Sequence, residues 1–279
     1  MPIDDTSSSS HLDSEKPLSS SSSPKAKPPL NITIREAELF DLPRITIVSL
    51  RAYDNDDLHH LINPPSLVGD NQSTLRYEAL IWHHQQFLSP DRTTLVALAP
   101  SDLSNPDSIP KIVGFARWHR LCAPGERHRR PNQRTYPRPW IFKYVKPCLN
   151  HIANTIWSFI CSQPNITNWA GLYAYSDAVR KAEEELYRVP GLWQRWELEN
   201  VCVDPDYQRF GIGGKLVDWG CARADEEGLA CTLEASQAGM RVYLKKGFVT
   251  IREVTVVDEE GHGGKAELTF MMREPMGRK

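Results

Sequence analysis

The chain has 279 residues, of which 40% are hydrophobic and 24% charged, enough for one large domain or two small ones with a buried core. Lys+Arg 33 against Asp+Glu 35 leaves a net charge of -2, which disfavours nucleic acid and an anionic membrane as main partners. The six cysteines form no C-x-x-C pair and no zinc spacing with histidine, so we expect reduced, mostly buried thiols and no metal site.

Residues 1–30 are rich in serine and proline and contain few apolar side chains. Such a segment cannot bury enough surface to offset its conformational entropy, so we expect a disordered tail. The tail has no apolar run typical of a secretion signal, and Asp4, Asp5 and Glu15 are unlike an acid-poor transit peptide. We therefore expect a cytoplasmic or nuclear protein whose folded domain covers residues 31–279.

Periodicity predicts the order of elements after the tail. NITIREAEL is predicted as a strand, FDLPRITIVSLRAY as a helix, and STLRYEALIWHHQQFL as a longer helix capped by Ser73. TTLVALAP and KIVGFARWHR are predicted strands on either side of a Pro/Asp/Asn/Ser loop. Residues 121–195 interrupt this order with an arginine- and proline-rich loop and two helices, the first in the apolar stretch 148–161, which is too short to cross a bilayer.

The rest of the chain alternates between strands and helices. WELENVCV and CTLEA are predicted strands, each followed by a helix, GIGGKLVDWGCARADEEG and AGMRVYLKKG. Gly228 and Gly247 fit left-handed caps at the ends of these helices. FVTIREVTVV and ELTFMMR close the chain as strands. This order predicts an α/β domain with a mixed sheet.

Gly211, Gly213 and Gly214 lie where a predicted strand passes into a helix. The first N–H groups of a helix have no internal partner and its dipole is positive there, so the position favours an anion. A Walker A loop is excluded because Lys215 is followed by Leu216, and Leu216 also replaces the third glycine of a dinucleotide fingerprint. Simple turn geometry is the alternative explanation for these glycines.

The segment Gln208-Arg209-Phe210-Gly211-Ile212-Gly213 fits the pattern [QR]-x-x-G-x-[GA] and resembles the signature of the GNAT (Gcn5-related N-acetyltransferase) superfamily. VCVDPDYQ resembles that family's fourth strand, and RVYLKKGF resembles its Y-x-x-x-G-F segment. The resemblance covers residues 31–273 apart from 121–195. It implies the GNAT fold: a mixed, mostly antiparallel central sheet flanked by helices, here with a helical insertion between the third and fourth strands.

The resemblance also implies acetyl-CoA as co-substrate, without a metal. Its pyrophosphate would lie on the backbone amides of 209–214, and its pantetheine arm would run along 201–203 like an added strand. Ser236 stands where relatives often have an asparagine that binds pantetheine, although a helix N-cap is an equal explanation. The implied cofactor residues are Val201, Cys202, Val203, Gln208, Arg209, Phe210, Gly211, Ile212, Gly213, Gly214 and Ser236.

Transfer to an alkylamine of pKa ~10 requires a base, and a carboxylate can serve. Glu197 and Glu199 lie on the strand that enters the cofactor site, where period two places both on one face with Val201 and Val203. The resemblance favours Glu197 as base, whereas Glu199 is closer to the expected acyl group. Ordinary strand-edge carboxylates are the alternative.

Tyr243 matches the tyrosine that protonates the coenzyme A thiolate in the family, with core packing as its alternative. Gly239, one turn earlier, would leave room for a ligand beneath the ring. The histidine pairs at 59–60 and 83–84 have no aspartate four residues on, and adjacent helical residues point to different faces, so we expect surface residues.

We expect residues 121–195 to form a lid over the amine site and to select the amine. The alternative is that its arginines belong to a solvated loop. We predict an N-acetyltransferase that moves acetyl from acetyl-CoA to a primary amine, of a small molecule or a protein, by direct attack in a ternary complex. The alternative is a catalytically silent domain that binds acyl-CoA as a sensor or interaction module.

Overall fold

A seven-stranded mixed sheet forms the centre of the computed structural model, which describes residues 30–122, 165–187, 192–258 and 264–277. The strand order is β1-β2-β3-β4-β5-β7-β6. β4 and β5 are parallel, and every other neighbouring pair is antiparallel, which confirms the mixed, mostly antiparallel sheet expected from the sequence. The strands are β1 Thr33–Glu36, β2 Arg92–Asp102, β3 Asn105–Leu121, β4 Arg195–Val203, β5 Ala230–Ala235, β6 Val249–Val257 and β7 Lys265–Arg273.

Helices cover both faces of this sheet. α6 packs on β3, β4 and β5, while α1 packs on the opposite face of β3 and β4 and contacts α4. α5 lies against β6 and α2. The helices are α1 Leu42–Ala52, α2 Asp57–Ile62, α3 Pro65–Val68, α4 Gln72–Phe87, α5 Trp169–Tyr187, α6 Ile212–Glu227 and α7 Met240–Lys245.

Among the helices described, none combines the length and the apolar character needed to cross a membrane.

Local details of the fold differ from the sequence prediction where short-range signals are weak. α2 and α3 were not predicted, because each is short and a proline or asparagine adjoins it. α4 begins at Gln72 with Asn71 as N-cap, so Ser73 is inside the helix. β2 and β3 extend through the expected loop, since Asp102 pairs with Asn105 across a two-residue turn.

Both predicted helix-ending glycines have the left-handed backbone that favours glycine, with φ of 69° at Gly228 and 84° at Gly247. α5 is a helix within the predicted insertion 121–195, and its buried Ala182 packs beside β7. Residues 1–29 and 123–164 lie outside the described residues. Most of the predicted tail, the arginine-rich loop and the first helix of the insertion fall there.

Candidate active site

A β-bulge in β4 changes which side chains share a face. Asn200 pairs with Arg117 and Leu198 pairs with Trp118, so Glu199 is the extra residue. Leu198 and, beyond the bulge, Val201 and Val203 pack toward α6, whereas Cys202 packs toward α1. The prediction that Glu197 and Glu199 share a face with the two valines is therefore wrong, because alternation holds only along an unbroken pleat.

β4 and β5 separate partway along their length. They pair at four positions, from Arg195 with Ala230 to Leu198 with Leu233. β4 then continues to Val203 without a strand partner on that side within the described part of the chain. The N–H and C=O groups along this edge are the kind that an extended ligand pairs with, like an added strand.

The turn after β4 is held in place by a buried carboxylate. Asp204 is fully buried and accepts hydrogen bonds from Arg44 at 2.9 Å and from Arg51 at 2.9 Å, both on α1. Gln208 closes the turn through its side-chain amide, which donates to the Val203 carbonyl at 3.2 Å. These contacts fix the end of β4 relative to α1, and thereby the start of α6.

The start of α6 has the backbone expected of an anion site. Arg209 and Gly211 have φ of 69° and 79°, and Gly211 is an N-cap without a side-chain hydrogen bond. The Lys215 N–H donates to the Gly211 carbonyl, so the N–H groups of 212–214 precede the helix's own hydrogen bonding. Three N–H groups and a positive helix end are thus presented together.

Internal packing does not explain the remaining two glycines of the turn. A Cβ on Gly213 would lie 3.8 Å from Val203 Cγ2, and one on Gly214 would lie 3.7 Å from Lys246 Cε, both ordinary contacts. The same Lys246 carries its Nζ near this turn, where it pairs with Asp218 at 2.6 Å. The turn therefore fits a phosphate group, and the lack of side chains keeps its backbone approachable.

A cavity of about 300 Å³ lies on the face of the sheet opposite α6, beside the point where β4 and β5 separate. α4 contributes Trp82, and α5, from within the 121–195 insertion, contributes Tyr175. Four glutamates from three elements line it: Glu183, Glu197, Glu199 and Glu234. The cavity thus offers an acidic environment to a cationic ligand.

Arginine and histidine side chains balance the negative charge of two of these glutamates, Glu197 and Glu199. Arg92 contacts Glu199 with Nη2 at 2.7 Å and Nε at 2.8 Å, and His119 Nδ1 is 3.3 Å from the same carboxylate. Burial acts to raise the pKa of Glu199, but the hydrogen bonds from His119 and Arg92 outweigh it and lower the pKa. Glu197 lies 3.6 Å from His119 Nδ1 and 3.6 Å from Arg195 Nη2.

His119 is a site residue that the sequence prediction missed, because a single histidine in a strand carries no motif. Its Nε2 lies 3.0 Å from Asp91, while Nδ1 faces the two β4 glutamates. Burial acts to lower the pKa of His119, but the hydrogen bonds to Glu197 and Glu199 outweigh it and raise the pKa to about 9. The imidazole is therefore protonated at neutral pH and belongs to the ion-pair network of the cavity.

His119, Glu197 and Glu199 also offer ligand atoms within 4.8 Å of one another, a spacing compatible with a metal ion. Arg92 and Arg195 already face the same carboxylates. This positive charge makes the cluster a better fit for ion pairing than for a divalent cation.

Glu234 is the second missed residue, since CTLEA was predicted only as a strand. Tyr175 donates a hydrogen bond from its phenol to Glu234 at 3.2 Å. Within the described residues Glu234 forms no ion pair with lysine, arginine or histidine. Burial raises the pKa of Glu234 to about 7, against the lowering effect of the Tyr175 hydrogen bond.

Tyr243 lies in the core, with its ring on Gly239. A Cβ on Gly239 would lie 2.7 Å from Tyr243 Cε2, so the ring itself occupies the space beside Gly239 that was expected to admit a ligand. The ring also packs edge-on against Phe248, with 6.0 Å between the two ring centroids. Burial, and to a smaller degree the nearby Cys202 thiol, raise the pKa of Tyr243, which therefore stays protonated.

The other residues predicted for the cofactor site differ in whether their side chains can reach a ligand. Ser236 is exposed, and its Oγ accepts from the Gly239 N–H at 3.4 Å, so it acts as a cap in the turn before α7. Ile212 and Cys202 are buried, which leaves only their backbone groups for a ligand. His83, expected at the surface, is buried and bonded to Arg117 and Ser49 because α4 turns that side chain toward the sheet.

Comparisons with known proteins found a matching domain model and a similar curated protein. Residues 169–250 match the model of the acetyltransferase (GNAT) domain. An uncharacterized N-acetyltransferase of Schizosaccharomyces pombe is 39% identical over 75 residues, which make up 27% of this chain and 32% of that protein. The chain thus spans about a third of the length of the curated relative that it matches.

Among solved structures, one of a histone acetyltransferase HPA2 and related acetyltransferase from Corynebacterium glutamicum has a TM-score of 0.48 and 19% identity, over 89% of this chain and 98% of that one. The polyamine N-acetyltransferase of Drosophila melanogaster has a TM-score of 0.48 and 14% identity, over 88% and 100%. The domain match includes the glycine turn and both strands that separate around the site. Residues 169–250 are therefore similar in sequence to GNAT acetyltransferase domains.

Proposed function

We propose that the protein is an N-acetyltransferase that moves an acetyl group from acetyl-CoA to a primary amine by direct attack in a ternary complex. One observation carries the proposal: the anion-binding turn, the open edge of β4 and the acidic cavity all adjoin the separation of β4 and β5. A site for the cofactor and a site for the amine thereby share one boundary, as direct transfer requires.

The cofactor side is built mainly from backbone. The N–H groups at the start of α6 would hold the pyrophosphate, with Lys246 near the same turn. The β4 edge along 199–203 would pair with the pantetheine arm. When bound, acetyl-CoA supplies the acetyl group as a thioester; Tyr243, protonated and in contact with the core, is the proposed proton donor to the thiolate.

The amine side is the acidic cavity. Its glutamates attract a protonated amine, and its volume of about 300 Å³ suits a small amine or the end of a protein amine. Glu197 and Glu199 both face it, as expected of the proposed bases, although their ion pairs with Arg92, His119 and Arg195 favour a role in binding charge. Because α5 contributes Tyr175 and Glu183, we extend the proposal to 121–195 as the part that selects the amine.

Release of free thiol from acetyl-CoA tests the proposal. We expect steady release when a panel containing an alkylamine, an α,ω-diamine, an arylalkylamine and a lysine peptide is added, with N-acetyl product identified by mass spectrometry. A protein that binds acetyl-CoA in calorimetry but releases thiol no faster than buffer with every amine would be the catalytically silent module instead.

A further inference from the structure

We infer that Glu234 accepts the proton that the acceptor amine loses, and that Tyr175 is the positioning residue that holds this carboxylate. The inference rests on the proposed function and deepens it, because it assigns proton removal to β5 rather than to the two glutamates of β4.

The position of Glu234 is the first argument. β4 and β5 last pair at Leu198 with Leu233, so Glu234 is the first residue of β5 beyond the pairing. Its side chain lines the cavity together with the β4 glutamates. A carboxylate here lines the proposed amine site at the point where β4 and β5 separate, within the part of the site where an attacking nitrogen must pass its proton on.

The charge environment is the second argument. Glu199 is paired with Arg92, Glu197 with Arg195 and His119, and Glu183 lies 3.8 Å from Arg195. Protonating a paired carboxylate breaks its ion pair, which makes it a weak base. Glu234 has only the phenol of Tyr175 as a charge-stabilising partner within the described segments, so protonating it weakens one hydrogen bond and breaks no ion pair.

The pKa of Glu234 also supports its assignment as the base. The pKa of Glu234 is raised to about 7 by burial, with smaller upward contributions from Asp56 and Glu197, while the Tyr175 hydrogen bond lowers it. A base works best when its pKa lies near the working pH, because it is then both ionised and able to hold a proton.

The proton balance of the transfer is as follows. A C–N bond forms between the amine nitrogen and the acyl carbon as the C–S bond breaks. An ammonium loses two protons on becoming an amide. Glu234 takes one and passes it to solvent. The other leaves the nitrogen for solvent as the C–N bond forms, and the Tyr243 phenolate regains from solvent the proton that it gave to the thiolate, so one proton is released in total. No oxidant or further reactant is needed.

The first test requires no ligand. Carbon-13 NMR of the full chain with labelled glutamate carboxyl carbons is followed from about pH 5 to pH 9. We expect one carboxyl carbon to titrate near neutral pH, to disappear in Glu234→Gln, and to titrate at higher pH in Tyr175→Phe, because the phenol stabilises the ionised form. Glu183→Gln is the matched control and should retain that signal. A Glu234 carboxyl that is fully ionised by about pH 5 would overturn the assignment.

The second test is kinetic and uses the best amine of the panel. Glu234→Gln should lower kcat/KM by about 10²-fold and abolish its rise through neutral pH, with an unchanged acetyl-CoA Kd. Tyr175→Phe should move that rise to higher pH and recover at alkaline pH. If the wild type acetylates an amine and Glu234→Gln keeps both rate and pH profile, only this inference fails. If the wild type binds acetyl-CoA yet acetylates no amine, the proposed function fails, and the inference with it.

Discussion

The indole ring of Trp118 occupies the space that a Cβ on Gly220 would need, with Trp118 Cε2 2.1 Å from that position. Trp118 is on β3 and Gly220 is in α6, and the indole N–H donates to the Leu216 carbonyl at 3.3 Å. This close approach seats α6 on the sheet and so places its first turn at the end of β4.

Gly220→Ala should lower the free energy of unfolding by about 3 kcal/mol, because a fully buried ring in a packed core has no room to yield. Urea denaturation measures the loss. Gly214→Ala, on the same helix, is the control: its Cβ would meet Lys246 Cε at 3.7 Å, so stability should stay unchanged or rise slightly. Equal stability of the two variants would contradict this account of the α6 contact.

Gly213→Val tests the turn as the pyrophosphate site. A Cβ at this position would lie 3.8 Å from Val203 Cγ2, an ordinary contact, so the fold should survive. We expect the acetyl-CoA Kd measured by calorimetry to rise at least ~10-fold, equivalent to about 1.4 kcal/mol.

Gly228→Ala provides the contrast to Gly213→Val. Its φ of 69° makes alanine strained by roughly 1–2 kcal/mol, so stability should fall while cofactor affinity stays the same. A folded Gly213→Val protein that binds acetyl-CoA as tightly as the wild type would rule the turn out as the binding site.

Tyr243→Phe keeps the ring against Gly239 and removes only the hydroxyl. If this phenol protonates the thiolate, kcat should fall about 10²-fold, with little change in acetyl-CoA affinity or in unfolding temperature. Unlike the loss of a base, the defect should not ease at alkaline pH, where the amine loses its proton unaided. Tyr53→Phe is the matched control, since that phenol already donates to Asn200 at 2.9 Å and a smaller effect on kcat is expected. If Tyr243→Phe keeps the wild-type kcat from about pH 6 to pH 9, the tyrosine only packs in the core and does not donate the proton.

The ion pairs of His119 predict a pH dependence of stability. Its pKa is raised from 6.5 to about 9 in the folded protein, so the stabilisation is fully present below pH 6.5 and is lost as pH rises through about 9. The shift corresponds to about 3 kcal/mol. His119→Asn should lack this contribution, so the difference in unfolding free energy between wild type and variant should shrink from pH 6.5 to about pH 9. A difference that is constant over this range would show that the imidazole is not charged in the fold.

The sequence was sufficient for the order of the seven described strands and for the glycine turn at the start of α6, because periodicity and the glycines after β4 are local signals, but it missed the short helices α2 and α3. It was insufficient for the face on which Glu199 lies, since a bulge is a property of strand pairing and leaves no mark in the spacing of β4. Glu234, Tyr175 and His119 were missed for a related reason. Each is an unremarkable residue of its own element: the packing of α5 on the sheet brings Tyr175 to Glu234, and the pairing of β3 with β4 brings His119 to Glu199.

The open edge of β4 also bears on how the protein would behave when the proposed cofactor is scarce. Unpaired N–H and C=O groups along a strand form a template for any extended chain, and edges of this kind drive self-association. The template here adjoins the site itself, so acetyl-CoA would cover the same groups that another copy could recruit. Ligand that binds only the folded state also stabilises it, by about 2.7 kcal/mol at a hundredfold excess over Kd. If the proposed function holds, the supply of acetyl-CoA would then govern the solubility and lifetime of the protein as well as its rate of acetyl transfer.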